Sequence, residues 1–225
     1  MATILCLETA TKNCSVSVGV DGSLKALVEE YSENYSHAEQ LHVFISRALE
    51  ESSVSFEDVD AIAVSKGPGS YTGLRIGVSA AKGLCFALEV PLISIATLKS
   101  MATQLPAGPN ELIIPVLDAR RMEVYASVFD ENLREVRETK AEIINEDSFS
   151  EFANAKTIHL VGNGAEKCRE ILGERNFEFH PQMIPSAKEL VGLAHKKYEQ
   201  KDFEDVAYFE PYYLKDFILQ GKKKT

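Results

Sequence analysis

The chain has 225 residues, 45% of them hydrophobic and 26% charged, with a formal net charge of −10. This length fits one large domain or two small lobes, and the composition is that of an ordinary globular protein. The charge argues against a protein that grips nucleic acid through its own surface, because the phosphates would be repelled, and no run approaches the ~20 apolar residues of a membrane span.

If the chain serves an RNA process, a partner is expected to supply the basic groove. The one basic run, Lys222 to Lys224, reads as a solvated end. The opening MATILCLETATK lacks a basic segment followed by a long apolar one. It reads as a strand, not a signal peptide, and places the protein in the cytoplasm. Cys6, Cys14, Cys85 and Cys168 form no CxxC pair, which argues against a zinc site of that kind. The first three sit in apolar patterns and are expected to be buried thiols.

In chain order, Ile4 to Thr9 is an apolar run and Cys14 to Val20 alternates valine with small residues. Asp21-Gly22 suits a two-residue hairpin, with Leu24 to Glu30 as the return strand. Ser36 to Glu39 fits a capping box. Leu41, Phe44, Ile45, Ala48 and Leu49 then follow helical spacing for about four turns. Ala61 to Ser65 is a buried strand, Leu74 to about Leu88 a helix and Pro91 to Ile95 a strand, and Thr97 is a cap for a helix to about Gln104. PAGPN (106–110) breaks the pattern. Beyond it, apolar runs at Leu112–Leu117, Val124–Phe129 and Ile158–Val161 and helical patterns at Ala165–Leu172 and Ser186–Tyr198 continue a mixed α/β order. Ser186 and Glu189 form a second capping box, and the halves can be read as weak repeats.

Residues 67–77, GPGSYTGLRIG, join a strand to a helix. The phosphate-binding P-loop fails here because Leu74 and Arg75 follow Gly73 where lysine and a hydroxyl are needed. The dinucleotide fingerprint fails on spacing, and no acidic residue ends the next strand. Gly67-Pro68-Gly69 ends a strand sharply, and Ser70 or Thr72 can cap the helix. An anion at that helix N-terminus stays open as a second reading. The helix carries two apolar stripes, Leu74, Val78, Ala81, Cys85 and Leu88 on one side and Ile76, Ala80, Gly83 and Ala87 on another. A helix apolar on two faces is buried on both. One face is expected on the sheet and the other against a neighbour, with Gly77, Ala80 and Gly83 permitting close approach.

The glycine turn resembles the signature of TsaB-type proteins. ILCLETATKNCSVSV, LDARRMEVYAS (117–127) and EPYYLKDF (210–217) resemble, in the same order, that family's first hairpin, second-lobe strand pair and C-terminal element. The resemblance implies a two-lobed actin-like, sugar-kinase-like (ribonuclease H-like) α/β fold with mixed sheets flanked by helices. Residues 1–105 would form the N-terminal lobe with the dimerisation helices. Residues 106–225 would form the C-terminal lobe, their last segment returning to the first. It also implies a non-catalytic subunit that pairs with a TsaD-like catalytic subunit, works with a TsaE-like ATPase, meets tRNA only through the complex and pairs with itself when alone. The reaction would be threonylcarbamoyl transfer to N6 of the adenosine 3′ of the tRNA anticodon. The expected interface comprises Gly69, Tyr71, Thr72, Arg75, Ile76, Ala80, Gly83 and Ala87, beside His42, Val43 and Arg47.

Actin-like ATPases place an acidic residue and hydroxyls at the first hairpin, around a nucleotide phosphate. Here Glu8, Thr9, Thr11 and Asn13 stand there. Thr9, Thr11 and Asn13 read either as a phosphate site or as a hydroxyl-rich turn. No intrinsic cofactor is expected, and ATP or ADP at the partner interface stays open. No metal site is expected either. The catalytic sister uses an H-x-x-x-H pair, whereas His37 and His42 are five apart, about 140° around a helix. His159, His180 and His195 stand alone in sequence, and no H-E-x-x-H occurs. The alternative is an independent actin-like ATPase or sugar-kinase-like enzyme, for which Glu8 and Asp118 are the candidate carboxylates. Asp118 with Arg120 reads equally as a structural ion pair, and Gly162-Asn163-Gly164 as a second phosphate-loop position or a plain turn.

Overall fold

The computed structural model describes residues 1–32, 37–173 and 175–214. Among them, ten strands form two five-stranded sheets. The first holds β1 (Thr3–Glu8), β2 (Asn13–Val20), β3 (Ser23–Tyr31), β4 (Ala61–Gly67) and β5 (Leu92–Ala96) in the order β3-β2-β1-β4-β5. The second holds β6 (Glu111–Asp118), β7 (Glu123–Phe129), β8 (Glu135–Ile143), β9 (Thr157–Val161) and β10 (Phe177–His180) in the order β10-β9-β6-β7-β8. In each sheet the first three strands form an antiparallel meander, and the last two join parallel to the first. The two sheets are therefore repeats of one topology.

The helices are α1 (His37–Ser52), α2 (Tyr71–Leu88), α3 (Thr97–Ala102), α4 (Ala165–Leu172) and α5 (Leu190–Glu199). Leu41, Phe44, Ile45, Ala48 and Leu49 of α1 and Val78, Ala81 and Cys85 of α2 bury against Leu5, Leu7, Val16, Val18 and Ile62 of the first sheet. The opposite face of that sheet takes Leu190, Val191 and Ala194 of α5, so the chain returns to the first sheet after completing the second. The return continues past α5, where Glu204 N–H donates to Leu92 O and Tyr212 N–H to Lys66 O. In the second sheet one face buries Ala165, Cys168 and Leu172 of α4, and the other packs near Ala102. The four cysteines are free and buried.

Asp21 and Gly22 both take positive φ, 46° and 73°, as a two-residue primed turn requires. Elsewhere the structure departs from the sequence reading. Helix α2 begins at Tyr71, three residues before Leu74, because Ser70 Oγ accepts from Gly73 N–H and caps it. Thr97 is the first helical residue of α3, not its cap, and Ala96 precedes it. The Ser186 region opens with a 3₁₀ turn, Ala187–Glu189, before α5. There Ser186 Oγ accepts from Lys188 N–H and donates to Glu29 Oε2, in place of the expected box with Glu189. Ser36, part of the first capping box, lies outside the described residues. So do Lys222 to Lys224 and residues 215–217 of the C-terminal motif. Strands β8 and β10 were not expected.

Candidate functional site

The glycine turn is shaped by close packing against the first hairpin. Gly67 ends β4 at φ +110°, and a Cβ there would stand 2.7 Å from Tyr212 O. Ser70 N–H donates to Ala10 O at 2.7 Å. A Cβ on Gly69 would lie 2.5 Å from that same oxygen, and Cβ atoms on Gly73 and Gly77 would overlap Thr9 O and Thr9 Oγ1. Gly73 and Gly77, four apart, line one side of α2 with glycine, so its first two turns lie directly on the β1–β2 turn. Gly77 therefore faces inward. Its expected place beside Ala80 and Gly83 on an outer edge is corrected.

Outside this contact, α1 and α2 leave an open groove of about 750 Å³, lined by Ala38, His42, Tyr71, Thr72, Arg75, Ile76, Ser79, Ala80, Gly83 and Leu84. Seven of the expected interface residues line it: His42, Tyr71, Thr72, Arg75, Ile76, Ala80 and Gly83. Ile76 and Ala80 are half-buried and pack on the core, so the outward strip is rotated toward Thr72, Arg75, Ser79, Gly83 and Phe86. Nothing lies within 4 Å of a Cβ built on Gly83. Val43 and Arg47 are exposed on α1 outside the groove lining, Arg47 paired with Glu51 at 3.4 Å, and Ala87 is exposed near the end of α2. Gly69 lies at the other end, beside Tyr71. Phe86, 83% exposed, was missed. Its signal was an aromatic residue outside both apolar stripes.

A second group gathers where the turn meets the chain end. Tyr71 and Tyr213 stack at 4.8 Å between centroids, Arg75 Nη1 donates to Tyr71 Oη at 2.9 Å, and Tyr125 and Tyr212 join them around Pro68 and Gly69. This tyrosine cluster draws on three distant segments, and nothing local in the sequence announces it.

The hairpin residues are turned inward. Thr9 Oγ1 donates to Gly73 O at 2.8 Å, Thr11 Oγ1 accepts from Asn13 N–H, and Asn13 Nδ2 donates to Glu29 Oε2 and Pro185 O. All three are buried, so of the two readings the geometry favours the hydroxyl-rich turn. Glu8 is fully buried, and its Oε1 accepts from Ala10 N–H and Ser65 Oγ. Burial raises its carboxyl to about 7 against these hydrogen bonds. Asp118 is held by Lys167 Nζ at 2.6 Å and by Arg120 N–H, so the expected Asp118–Arg120 side-chain pair is replaced by one with Lys167. Asn163 Oδ1 accepts from Asp118 N–H, Gly164 N–H donates to Val116 O, and a Cβ on Gly162 would stand 2.5 Å from Val116 O. That segment is a packed turn.

His37 is buried at the start of α1 with Nε2 2.6 Å from Thr11 O, and burial lowers its pKa. His42 is exposed on the groove. The reading of His159 and His180 as isolated is corrected, because pairing of β9 with β10 brings their ring nitrogens to 3.3 Å.

Two mixed sheets of one repeated order, flanked by helices, define a two-lobed α/β fold. The family model described as TsaD: tRNA N6-adenosine threonylcarbamoyltransferase matches residues 31–217. The tRNA threonylcarbamoyladenosine biosynthesis protein TsaB of Haemophilus influenzae is 31% identical over 98% of this chain and 96% of its own length. The protein of the same name from Escherichia coli is 30% identical, with 97% of each chain covered. Among solved structures, YeaZ from Pseudomonas aeruginosa matches with a TM-score of 0.83 at 26% identity, covering 95% of this chain and 100% of that one. The chain belongs to the TsaB/YeaZ-type family.

Proposed function

We propose that the protein acts in tRNA threonylcarbamoyladenosine biosynthesis as a non-catalytic partner subunit. The observation that carries this reading is the contrast at the first hairpin. Thr9, Thr11 and Asn13 turn their side chains to partners inside the chain, Thr9 to the seat of α2, while the outer face of α1 and α2 is left as an open, largely apolar groove. Apolar surface of this kind is a docking surface by default. Its occupant in this reading is a TsaD-like catalytic subunit, which presents an equivalent helix pair across a pseudo-two-fold axis. In its absence a second copy of this chain takes the place. A TsaE-like ATPase works on the assembled complex, and any ATP or ADP sits at that interface. With a net charge of −10 the chain contributes little to tRNA affinity by itself. The reading places the protein in the cytoplasm. No described helix is long and apolar enough to cross a membrane.

The test is co-expression with a TsaD-type subunit, followed by size-exclusion chromatography and assays of ATP hydrolysis and threonylcarbamoyl transfer. The expected result is a stable complex, with transfer only in the assembled mixture and no turnover by this chain alone. Sugar phosphorylation or ATP hydrolysis by the purified chain at enzymatic rates would instead favour an independent kinase or ATPase.

A further inference from the structure

We infer that His159, Glu178 and His180 form a binding site for a borderline divalent cation, zinc in the first place, at the β9–β10 edge of the second sheet. Glu178 lies directly opposite His159 in the parallel pairing, and His180 follows two residues later. The three side chains therefore share one face of the sheet. Their ligand atoms stand 3.3 Å apart for His159 Nδ1 to His180 Nε2, 3.4 Å for His159 Nδ1 to Glu178 Oε2, and 3.9 Å for His180 Nε2 to Glu178 Oε2. A tetrahedral zinc ion with bonds of about 2.0–2.1 Å spaces its ligands by about 3.3–3.4 Å. Two of the three separations already match, and the third closes with a small turn of the exposed Glu178 side chain. Two imidazole nitrogens with one carboxylate oxygen suit zinc, nickel or copper, and not magnesium or calcium.

The surroundings orient the first ligand. His159 Nε2 faces Glu111 Oε2 at 3.4 Å, and that carboxylate is itself fixed by Gly108 N–H and Lys156 Nζ, each at 2.8 Å. A carboxylate on the far nitrogen holds the imidazole proton there and turns the Nδ1 lone pair toward the cluster. Nδ1 then meets Glu178 Oε2 as acceptor against acceptor. A cation between them resolves the conflict better than the one proton His180 can lend. His159 is buried, His180 half-buried and Glu178 exposed, which leaves an open side for access and for water as a fourth ligand. Such an ion would tie the edge strand β10 to β9. The inference is independent of the partner reading.

The test is calorimetric titration of the metal-free, untagged full chain with zinc chloride. The expected result is one ion per chain at a dissociation constant of about 10 μM or tighter. His180→Ala and Glu178→Gln are each expected to weaken it at least tenfold, and Glu111→Gln about tenfold or more. His42→Ala, on the distant groove, should leave it unchanged. Nitrogen-15 spectra of the unaltered protein give a readout that does not depend on how the variants fold. Zinc is expected to move His159 Nδ1 and His180 Nε2. No binding at 100 μM zinc, binding unaffected by both ligand variants, or a shift confined to other histidines would overturn the proposal.

Discussion

The sheet of β1–β5 and the sheet of β6–β10 run the same course, but their connections differ. Between the third and fourth strands the first lobe inserts the 16-residue α1, where the second has only a 3₁₀ turn at Ser150–Phe152. Between the fourth and fifth strands it has the 18-residue α2, against the 8-residue α4. The junction after the fourth strand is otherwise alike, with Gly67 at φ +110° and Gly162 at φ +119°. The comparison shows that the sheets are a shared scaffold and that the groove is added by helix length. The long pair of the first lobe covers its sheet and still presents a free face. The short α4 buries Ala165, Cys168 and Leu172 and, among the described residues, has no second long helix packed beside it to form a groove.

The sharpest test of the comparison is to place a methyl group at a tight glycine contact near the start of each helix. Gly73→Ala drives a Cβ into the Thr9 carbonyl, where backbone must move, while Gly164→Ala meets Val116 O at 3.1 Å, a gap that a few tenths of an ångström relieve. The first is expected to cost about 4 kcal/mol and the second about 1 kcal/mol in urea unfolding. Equal losses would mean that the α2 seat is no tighter than the α4 seat.

The next effect in size is electrostatic and belongs to the first lobe. Glu8 has an ordinary value of 4.5, raised to about 7 by burial, so the native state holds a proton that the unfolded chain releases. Its contribution is fully present below pH 4.5 and is lost as pH rises through 7. Glu8→Gln removes that slope. It is expected to raise stability at pH 8 by about 3 kcal/mol relative to the parent, with tRNA modification by the assembled complex unchanged. Glu189, also raised chiefly by burial, retains a slope of the same sign. Unfolding curves at pH 5, 6, 7 and 8 measure the difference. Loss of modification with assembly intact would show that Glu8 takes part in the chemistry.

Thr9→Val is a smaller change at the same contact. It removes the bond to Gly73 O but keeps the volume, and is expected to cost about 1 kcal/mol in thermal or urea unfolding. No measurable cost would mean that α2 is held by shape alone.

Much of this was legible in the sequence. The apolar stripe of α1, the sheet-facing stripe of α2 and the Asp21-Gly22 turn all follow from local spacing. The direction of Gly77 did not, because periodicity gives the angle between two small-residue faces but not which one meets a hairpin from elsewhere. β8 was hidden because it is a polar edge strand with no buried residue, and β10 because it has only four residues. The tyrosine cluster and the His159–His180 pair depend on contacts between distant segments, which no local pattern encodes.

The partner is expected to dock on the free face of α1 and α2, and not on the second lobe. Gly83→Arg tests it most directly, since the position is exposed with nothing within 4 Å of a new Cβ. The measurement is calorimetric titration with a TsaD-type subunit, with thermal unfolding as the control for the fold. An arginine buried unpaired in the interface is expected to lower affinity at least a hundredfold, about 3 kcal/mol, and to abolish self-association, while the melting temperature stays within a few degrees. A folded Gly83→Arg protein that binds the partner with unchanged affinity would contradict the account and place the interface elsewhere.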